Sequence, residues 1–191
     1  IAASTHEGEE EIVLEAFKYI QTKYPNALLI LVPRHLERFN RVKLIIRNSG
    51  LNLASRSKKT EISEKTQVLL GDTIGELNFL YSLADVAFVG GSLINHGGQN
   101  LLEPSAQSLA LLSGPSLRNF HDISIQLLDN KALLIVNNAE ELSKQFIELI
   151  ENRDLLKEVG KSAFKVFTEN RGALQEILNQ LDKKFKIPEI I

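Results

Sequence analysis

The sequence predicts an α/β protein, a doubly wound parallel sheet with helices on both faces, and three observations carry that reading. Short, wholly apolar runs such as residues 27–32 are bounded by helical segments, the pattern of strands covered on both faces. Strand and helix patterns alternate at least five times along the chain. Glycines and unusual polar residues gather directly after the apolar runs, at the carboxyl ends of strands, where such sheets bind ligands.

Taken in order, Ile1-Ala2-Ala3 reads as the tail of a strand. Residues 9–24 carry Ile12, Val13, Ala16, Phe17 and Ile20 at the spacing of one helical face. Glu9, Glu10 and Glu11 fall in the first turn, where acidic side chains suit the helix dipole. Pro25-Asn26 breaks the chain before the strand at 27–32, which Pro33-Arg34-His35 closes. A basic helix follows through Arg38, Arg41, Lys43 and Arg47, with Phe39, Val42, Ile45 and Ile46 as its buried side. Leu51-Asn52-Leu53 is a weaker strand, 55–65 a surface connection, and 67–70 a strand ending in Gly71-Asp72-Thr73. A helix over 74–83 takes Asp72 or Thr73 as its cap. Further on, 109–112 is a strand closed by Ser113-Gly114-Pro115, 119–129 a helix and 133–136 the last strand. Asn137-Asn138 caps a helix over 139–151, and two more helical stretches, 153–168 and 172–185, run to a loose tail.

At 191 residues and 43% hydrophobic, the chain suits one domain spanning 1–191 with a sizeable core. A formal charge of −2 argues against general nucleic-acid binding, and the lack of cysteine excludes disulfides and thiolate metal sites. The longest apolar run is far too short to cross a bilayer, and no signal peptide or lipidation motif is present, so a soluble chain is expected. It opens on Ile1 and holds no methionine, which marks it as a piece of a larger protein.

Residues 88–106 are the stretch the rest is organised around. A buried strand ends at Gly90-Gly91, a loop closes at Gly97-Gly98, and a helix is expected from near Gln99. Glycines allow bare backbone to approach a ligand, and a helix N-terminus facing the loop would seat a phosphate. Ser92 belongs to this loop and lies outside any G-x-S-x-G elbow. Glu103, one turn in, is placed to grip a ribose diol. Arg34, directly after a buried strand, suits a phosphate bidentately. Ser4 and Thr5 precede the first helix, where capping and phosphate contact are both open. His35 and His96 lack companions at metal-ligand spacing, so no metal is expected. Walker A and G-x-G-x-x-G are absent, which disfavours P-loop NTPases and ordinary dinucleotide reductases.

Four motifs in order give a resemblance over essentially the whole chain: Ala3-Ser4-Thr5-His6-Glu7-Gly8-Glu9-Glu10; Pro33-Arg34-His35 with Glu37-Arg38-Phe39; Gly71-Asp72-Thr73-Ile74-Gly75-Glu76-Leu77; and Val89-Gly90-Gly91-Ser92-Leu93 through Gly97-Gly98, Asn100 and Glu103-Pro104. Together they resemble the C-terminal half of 3-deoxy-D-manno-octulosonic acid (Kdo) transferases. The resemblance implies a GT-B glycosyltransferase with two Rossmann-like halves, of which this is the one that holds CMP-Kdo. It implies transfer of Kdo onto the lipid A precursor in lipopolysaccharide assembly, without metal or other cofactor, at the cytoplasmic face of a Gram-negative inner membrane. The acceptor surface, the membrane anchor and a glutamate general base would lie in an N-terminal half outside this chain, leaving no catalytic residue within it. Carried over by motif, CMP contacts fall on Pro33, Arg34, Ile74, Gly75, Glu76, Asn100, Leu101, Leu102 and Glu103, with further donor contacts open to Ser4, Thr5, Gly90, Gly91, Ser92, Gly97 and Gly98. The family commonly has proline at Leu36 and Leu101 and histidine at Gln99; losing proline at Leu101 gives up a preset φ in the first helical turn. The GT-B resemblance also implies that the last helix crosses to the other half on a face of Leu174, Ile177, Leu178, Leu181 and Phe185.

Two other classes share parts of this pattern. A UDP-sugar transferase or epimerase would also use glycine loops and a ribose-gripping glutamate. A non-enzymatic α/β binding domain would show no nucleotide affinity at all.

Overall fold

The computed structural model describes residues 1–59 and 62–185, with side chains as far as residue 172. Seven strands form one sheet: β1 (Ala2–Thr5), β2 (Leu29–Pro33), β3 (Leu53–Ser55), β4 (Val68–Leu70), β5 (Val86–Val89), β6 (Ala110–Ser113) and β7 (Leu133–Ile135). Their order is β3-β4-β2-β1-β5-β6-β7, and every neighbouring pair is parallel. The helices are α1 (Glu9–Lys23), α2 (Phe39–Asn48), α3 (Leu77–Tyr81), α4 (Leu102–Ala106), α5 (His121–Asp129), α6 (Ala139–Glu151) and α7 (Arg153–Phe185).

Strand side chains alternate between two cores. Leu29, Leu31, Val86, Phe88 and Leu112 pack with Val13, Leu14 and Phe17 of α1, Val42 and Ile46 of α2, and Leu142 and Leu149 of α6. Toward the other face, Ala87, Val89 and Leu111 meet Tyr81, Leu127, Ala163 and Val166, while Ile30, Val32 and Leu69 close on Leu80. A sheet buried on both sides is why its strands read as unbroken apolar runs. The predicted doubly wound architecture is therefore borne out.

Several boundaries differ from the expected ones. The strand expected at 51–53 is β3 at Leu53–Ser55. The helix expected over 74–83 is the five-residue α3, and neither Asp72 nor Thr73 caps it. Asp72 instead turns toward the β3 loop, accepting from Ser55 Oγ (2.6 Å), Ser57 N (2.8 Å) and Ser57 Oγ (2.6 Å). Asn138 does cap α6, accepting from Glu141 N at 2.9 Å. The two last helical stretches are one continuous helix, α7, running through Gly172; one glycine costs only about 1 kcal/mol against alanine, too little to end a packed helix. The crossing face expected on Leu174, Ile177, Leu178, Leu181 and Phe185 lies outside the described side chains.

Candidate functional site

The chain leaves the central strand β1 toward β2, β4 and β3, then returns to lay β5 on the other side of β1. The crevice outside the carboxyl ends of β1 and β5 is thus the switch point at which doubly wound sheets bind ligands. Residues 4–8 and 90–103 build its two walls, with 33–35 and 71–76 alongside, because β2 and β4 follow β1 in the sheet. The expected convergence of strand-end loops holds.

What the glycines do there differs from the expected backbone approach to a ligand. A Cβ on Gly90 would lie 2.7 Å from both Ser4 O and Thr5 Cα, so this glycine lets the β5 loop cross the β1 loop. Gly91 (φ 69°), Gly97 (φ 100°) and Gly98 (φ 78°) take left-handed conformations, which Gly tolerates at no steric cost. The amides after β5 are already occupied. Glu9, fully buried at the start of α1, accepts from Gly91 N (2.6 Å), Ser92 N (2.9 Å), Leu93 N (2.9 Å) and His6 N (2.9 Å). The seat offered to a phosphate by Gly90, Gly91 and Ser92 thus holds the protein's own carboxylate. Ser92 Oγ is likewise internal, donating to Val89 O (2.7 Å) and accepting from Gly114 N (2.8 Å). Glu10 is also fully buried, gripped by Arg38 at 2.6 and 3.1 Å and by Thr5 Oγ1 at 3.0 Å. Thr5 is sealed in with it, and Ser4 sits in the left-handed region at φ 56°. The sequence pattern placed these acids on a helix dipole; partners 82 to 84 residues away for Glu9 and 28 away for Glu10 leave no local signal.

Beyond Gly98, α4 begins at Leu102, later than expected. Its first amide is held by Asn100 Oδ1 (3.0 Å), whose Nδ2 donates to Glu103 Oε1 (3.0 Å). Glu103 is half-buried, and among the described residues its Oε2 makes no hydrogen bond. Burial, and secondly the nearby Glu103 carboxylate, push the Tyr81 hydroxyl above its ordinary range. Leu101, a candidate contact by motif, is wholly buried in the core, backbone included, and so is not open to a ligand. Leu102 is half-buried.

Arg34 stands exposed beyond the buried Pro33, its backbone fixed by Arg34 N donating to Thr5 O (3.0 Å). Among the described residues its guanidinium has no hydrogen bond or ion pair, while Arg38, four residues on, is fully engaged. On the β4 loop, Ile74 is 76% exposed and Gly75 takes φ 79° with open space around it. The Glu76 carboxylate is taken up by Arg56 (2.7 and 3.1 Å) and Thr73 Oγ1 (2.5 Å). The Thr73 hydroxyl and then Arg56 hold its carboxyl below the usual range. A nucleotide would therefore meet backbone and Ile74 here.

One cluster went unread in the sequence. His6 is buried, its ring centroid 3.9 Å from that of His96 and 5.3 Å from that of His35. Gln99 Nε2 lies 3.0 Å from His6 Nε2. Burial, and then the neighbouring His96, His35, Arg38 and Arg34, lower the His6 pKa to about 4. Among the described residues no group of three or more His, Asp or Glu side chains is arranged to hold a metal. No described helix is long and apolar enough to cross a membrane.

The sequence that builds this crevice matches the family of group 1 glycosyl transferases over residues 2–166, and the chain belongs to that family. Within it, the resemblance to Kdo transferases is borne out. The chain is 42% identical to the 3-deoxy-D-manno-octulosonic acid transferase of Haemophilus influenzae over 182 residues, 95% of this chain and 43% of that protein. It is 38% identical to a bifunctional glycosyltransferase/methyltransferase of Fusobacterium nucleatum, over 90% of this chain and 26% of that one. In three dimensions it is similar to the C-terminal CMP-Kdo binding domain of WaaA from Acinetobacter baumannii, with a TM-score of 0.83, 36% identity and 86% of each chain covered. The chain thus spans less than half the length of these curated relatives.

Proposed function

We propose that this chain is the donor-binding unit of a Kdo transferase, one domain over residues 1–191, holding the CMP half of CMP-Kdo at the β1/β5 crevice. Its likeness to a CMP-Kdo binding domain, 36% identical and covering 86% of each chain, carries the reading. Two side chains give it chemistry. Arg34 has an uncommitted guanidinium for the phosphate, and Glu103 keeps one carboxylate oxygen for the ribose diol. Asn100 orients Glu103, Pro33 sets the turn that presents Arg34, and Ile74-Gly75-Glu76 offers backbone and an aliphatic face to the base. Half-buried Leu102 completes the wall, with Leu101 packed behind it in the core.

In the whole enzyme an acceptor hydroxyl of the lipid A precursor attacks the anomeric carbon of Kdo. The carbon–oxygen bond to phosphate breaks, CMP leaves with the electron pair, and a base outside this chain takes the hydroxyl proton. Arg34 stabilises the charge that gathers on the departing phosphate. The cationic side chains around the crevice support a transfer that needs no metal, so chelation with EDTA should leave the rate unchanged. The full-length protein would work at the cytoplasmic face of the inner membrane.

Calorimetric titration with CMP, UDP and cytidine tests the reading. CMP should bind in preference to UDP, and Arg34→Ala should weaken CMP by about 1.5–3 kcal/mol, the range for hydrogen bonds to a charged group. Cytidine should be nearly indifferent to that change. Preference for UDP would assign a different glycosyltransferase, and no affinity for any nucleotide would make this a non-enzymatic domain.

A further inference from the structure

Three separate loops deliver an imidazole to one point: His6 after β1, His35 after β2 and His96 after β5. Loop chemistry alone does not need this, since each residue could face solvent independently. The charges that surround the cluster are unbalanced. Arg34, Arg38 and His35 face it from the β2 side, and His96 faces it from the β5 loop. The carboxylates nearby are committed elsewhere. Glu9 holds four backbone amides, Glu10 is gripped by Arg38, and Glu7 pairs with Arg41 at 2.9 Å. Glu37, on the 3₁₀ turn that carries Arg38, is exposed. Among the described residues, Arg34, His6, His35 and His96 have no anionic partner. With Gln99 Nε2 donating to His6 Nε2, the proton of neutral His6 sits on Nδ1, a donor that no other described atom accepts.

We propose that His6, His35 and His96, with Arg34 at their edge, form the seat of a second anion: the carboxylate of the donor sugar, bound with uptake of a proton. The proposal rests on the reading that this crevice holds CMP-Kdo. In a 2-ulosonic acid the anomeric carbon bears both the phosphate and the carboxylate, so the two anions are neighbours and their seats must be adjacent. Arg34, on the loop that also carries His35, joins the two. The His6 and His96 ring centroids lie 3.9 Å apart, so one anion at this point meets both imidazoles. Without an anion a proton on His6 is disfavoured by burial and by the neighbouring His96, His35, Arg38 and Arg34; a carboxylate reverses the sign of the local field.

The test uses the 191-residue chain with CMP and CMP-Kdo, titrated calorimetrically near pH 6.5, about the ordinary histidine pKa, in two buffers of different ionisation enthalpy. Wild type should bind CMP-Kdo more tightly than CMP and take up protons with CMP-Kdo only. His35 and His96 are exposed, so His35→Asn/His96→Asn should fold normally, with CMP affinity as the internal check. That variant should lose roughly tenfold or more in CMP-Kdo affinity, and its proton uptake, while CMP changes by less than about twofold. His96→Asn alone should show the same pattern at smaller size. Retention of the full wild-type margin for CMP-Kdo, or proton uptake equal for both ligands, overturns the carboxylate seat and leaves nucleotide binding standing. Equal losses for CMP and CMP-Kdo overturn it as well, since the cluster would then serve the nucleotide or the loop. If wild type binds no CMP, donor binding itself falls and the seat with it.

Discussion

Glu9 and Glu103 are both carboxylates beside glycine loops, yet their surroundings give them opposite work. Glu9 is sealed and saturated by four amides; Glu103 is half-buried with one oxygen to spare. Glu9→Gln sets an amide NH₂ against backbone N–H groups that have no other acceptor. It should destabilise the fold by about 2–4 kcal/mol, read as a lower urea midpoint at unchanged m. Glu103→Gln should leave that midpoint nearly unchanged and weaken CMP. Wild type should also discriminate against 2′,3′-dideoxy-CMP, which lacks both ribose hydroxyls, and the variant should discriminate little. A variant that keeps the full wild-type margin shows that Glu103 does not hold the ribose. Arg34 and Glu103 were legible in the sequence because each breaks a local expectation, a lone cation after a buried strand and an acid after glycines. Glu9 was not, because an acid in a first helical turn already has an ordinary explanation. His6 was passed over for the same kind of reason: its partners lie on loops that come together only in the fold.

Among the elements, order was read correctly and most ends were not, although α6 has the expected ends and two expected final helices are one. Strands announced themselves because a sheet covered on both faces demands unbroken apolar runs, and α6 because Asn138 is a true cap. The misplaced starts of α3 and α4 share a cause. Asp72 looks like a cap in sequence and Gly97-Gly98 like the end of a loop, but Asp72 is drawn to the β3 loop, and the first amide of α4, at Leu102, is held by Asn100. The first half of α7 is held by close packing. A Cβ on Gly160 would lie 2.1 Å from Ser108 O, so α7 presses directly on the backbone that leads into β6. Gly160→Ala should push the helix off this contact and cost about 1–3 kcal/mol, the usual range for overpacking, visible as a lower thermal midpoint. Full wild-type stability would show that the contact has room to give.

At the scale of the whole molecule, stability and activity should separate cleanly. The 191-residue chain should bind CMP yet transfer no Kdo, since none of its residues is assigned as a base for the acceptor hydroxyl; measurable transfer by the purified chain would refute this. Its stability should fall in acid for two reasons of the same sign. Folded His6 titrates at about 4, whereas an unfolded histidine titrates near about 6.5, so the unfolded chain binds the extra proton between those values. The contribution of neutral His6 is complete above that window and is lost as pH falls through it. For Asp72, burial opposes ionisation, but the Ser55 and Ser57 hydrogen bonds outweigh it and lower its pKa. Its contribution is present above the ordinary carboxylate range and disappears below it. His6→Asn should flatten the upper part of the slope in urea titrations between about pH 6.5 and 4 and leave the lower part intact. The sheet itself carries a further consequence. Among the described residues β1 alone links β2-β4-β3 on one side to β5-β6-β7 on the other, and it brings Ala2 beside Phe88. Neither half is closed until a strand from the first residues is captured by one from mid-chain, a contact that must wait for a long loop to close. Refolding should therefore be slow and governed by that single docking event, with the ligand crevice the last feature to appear.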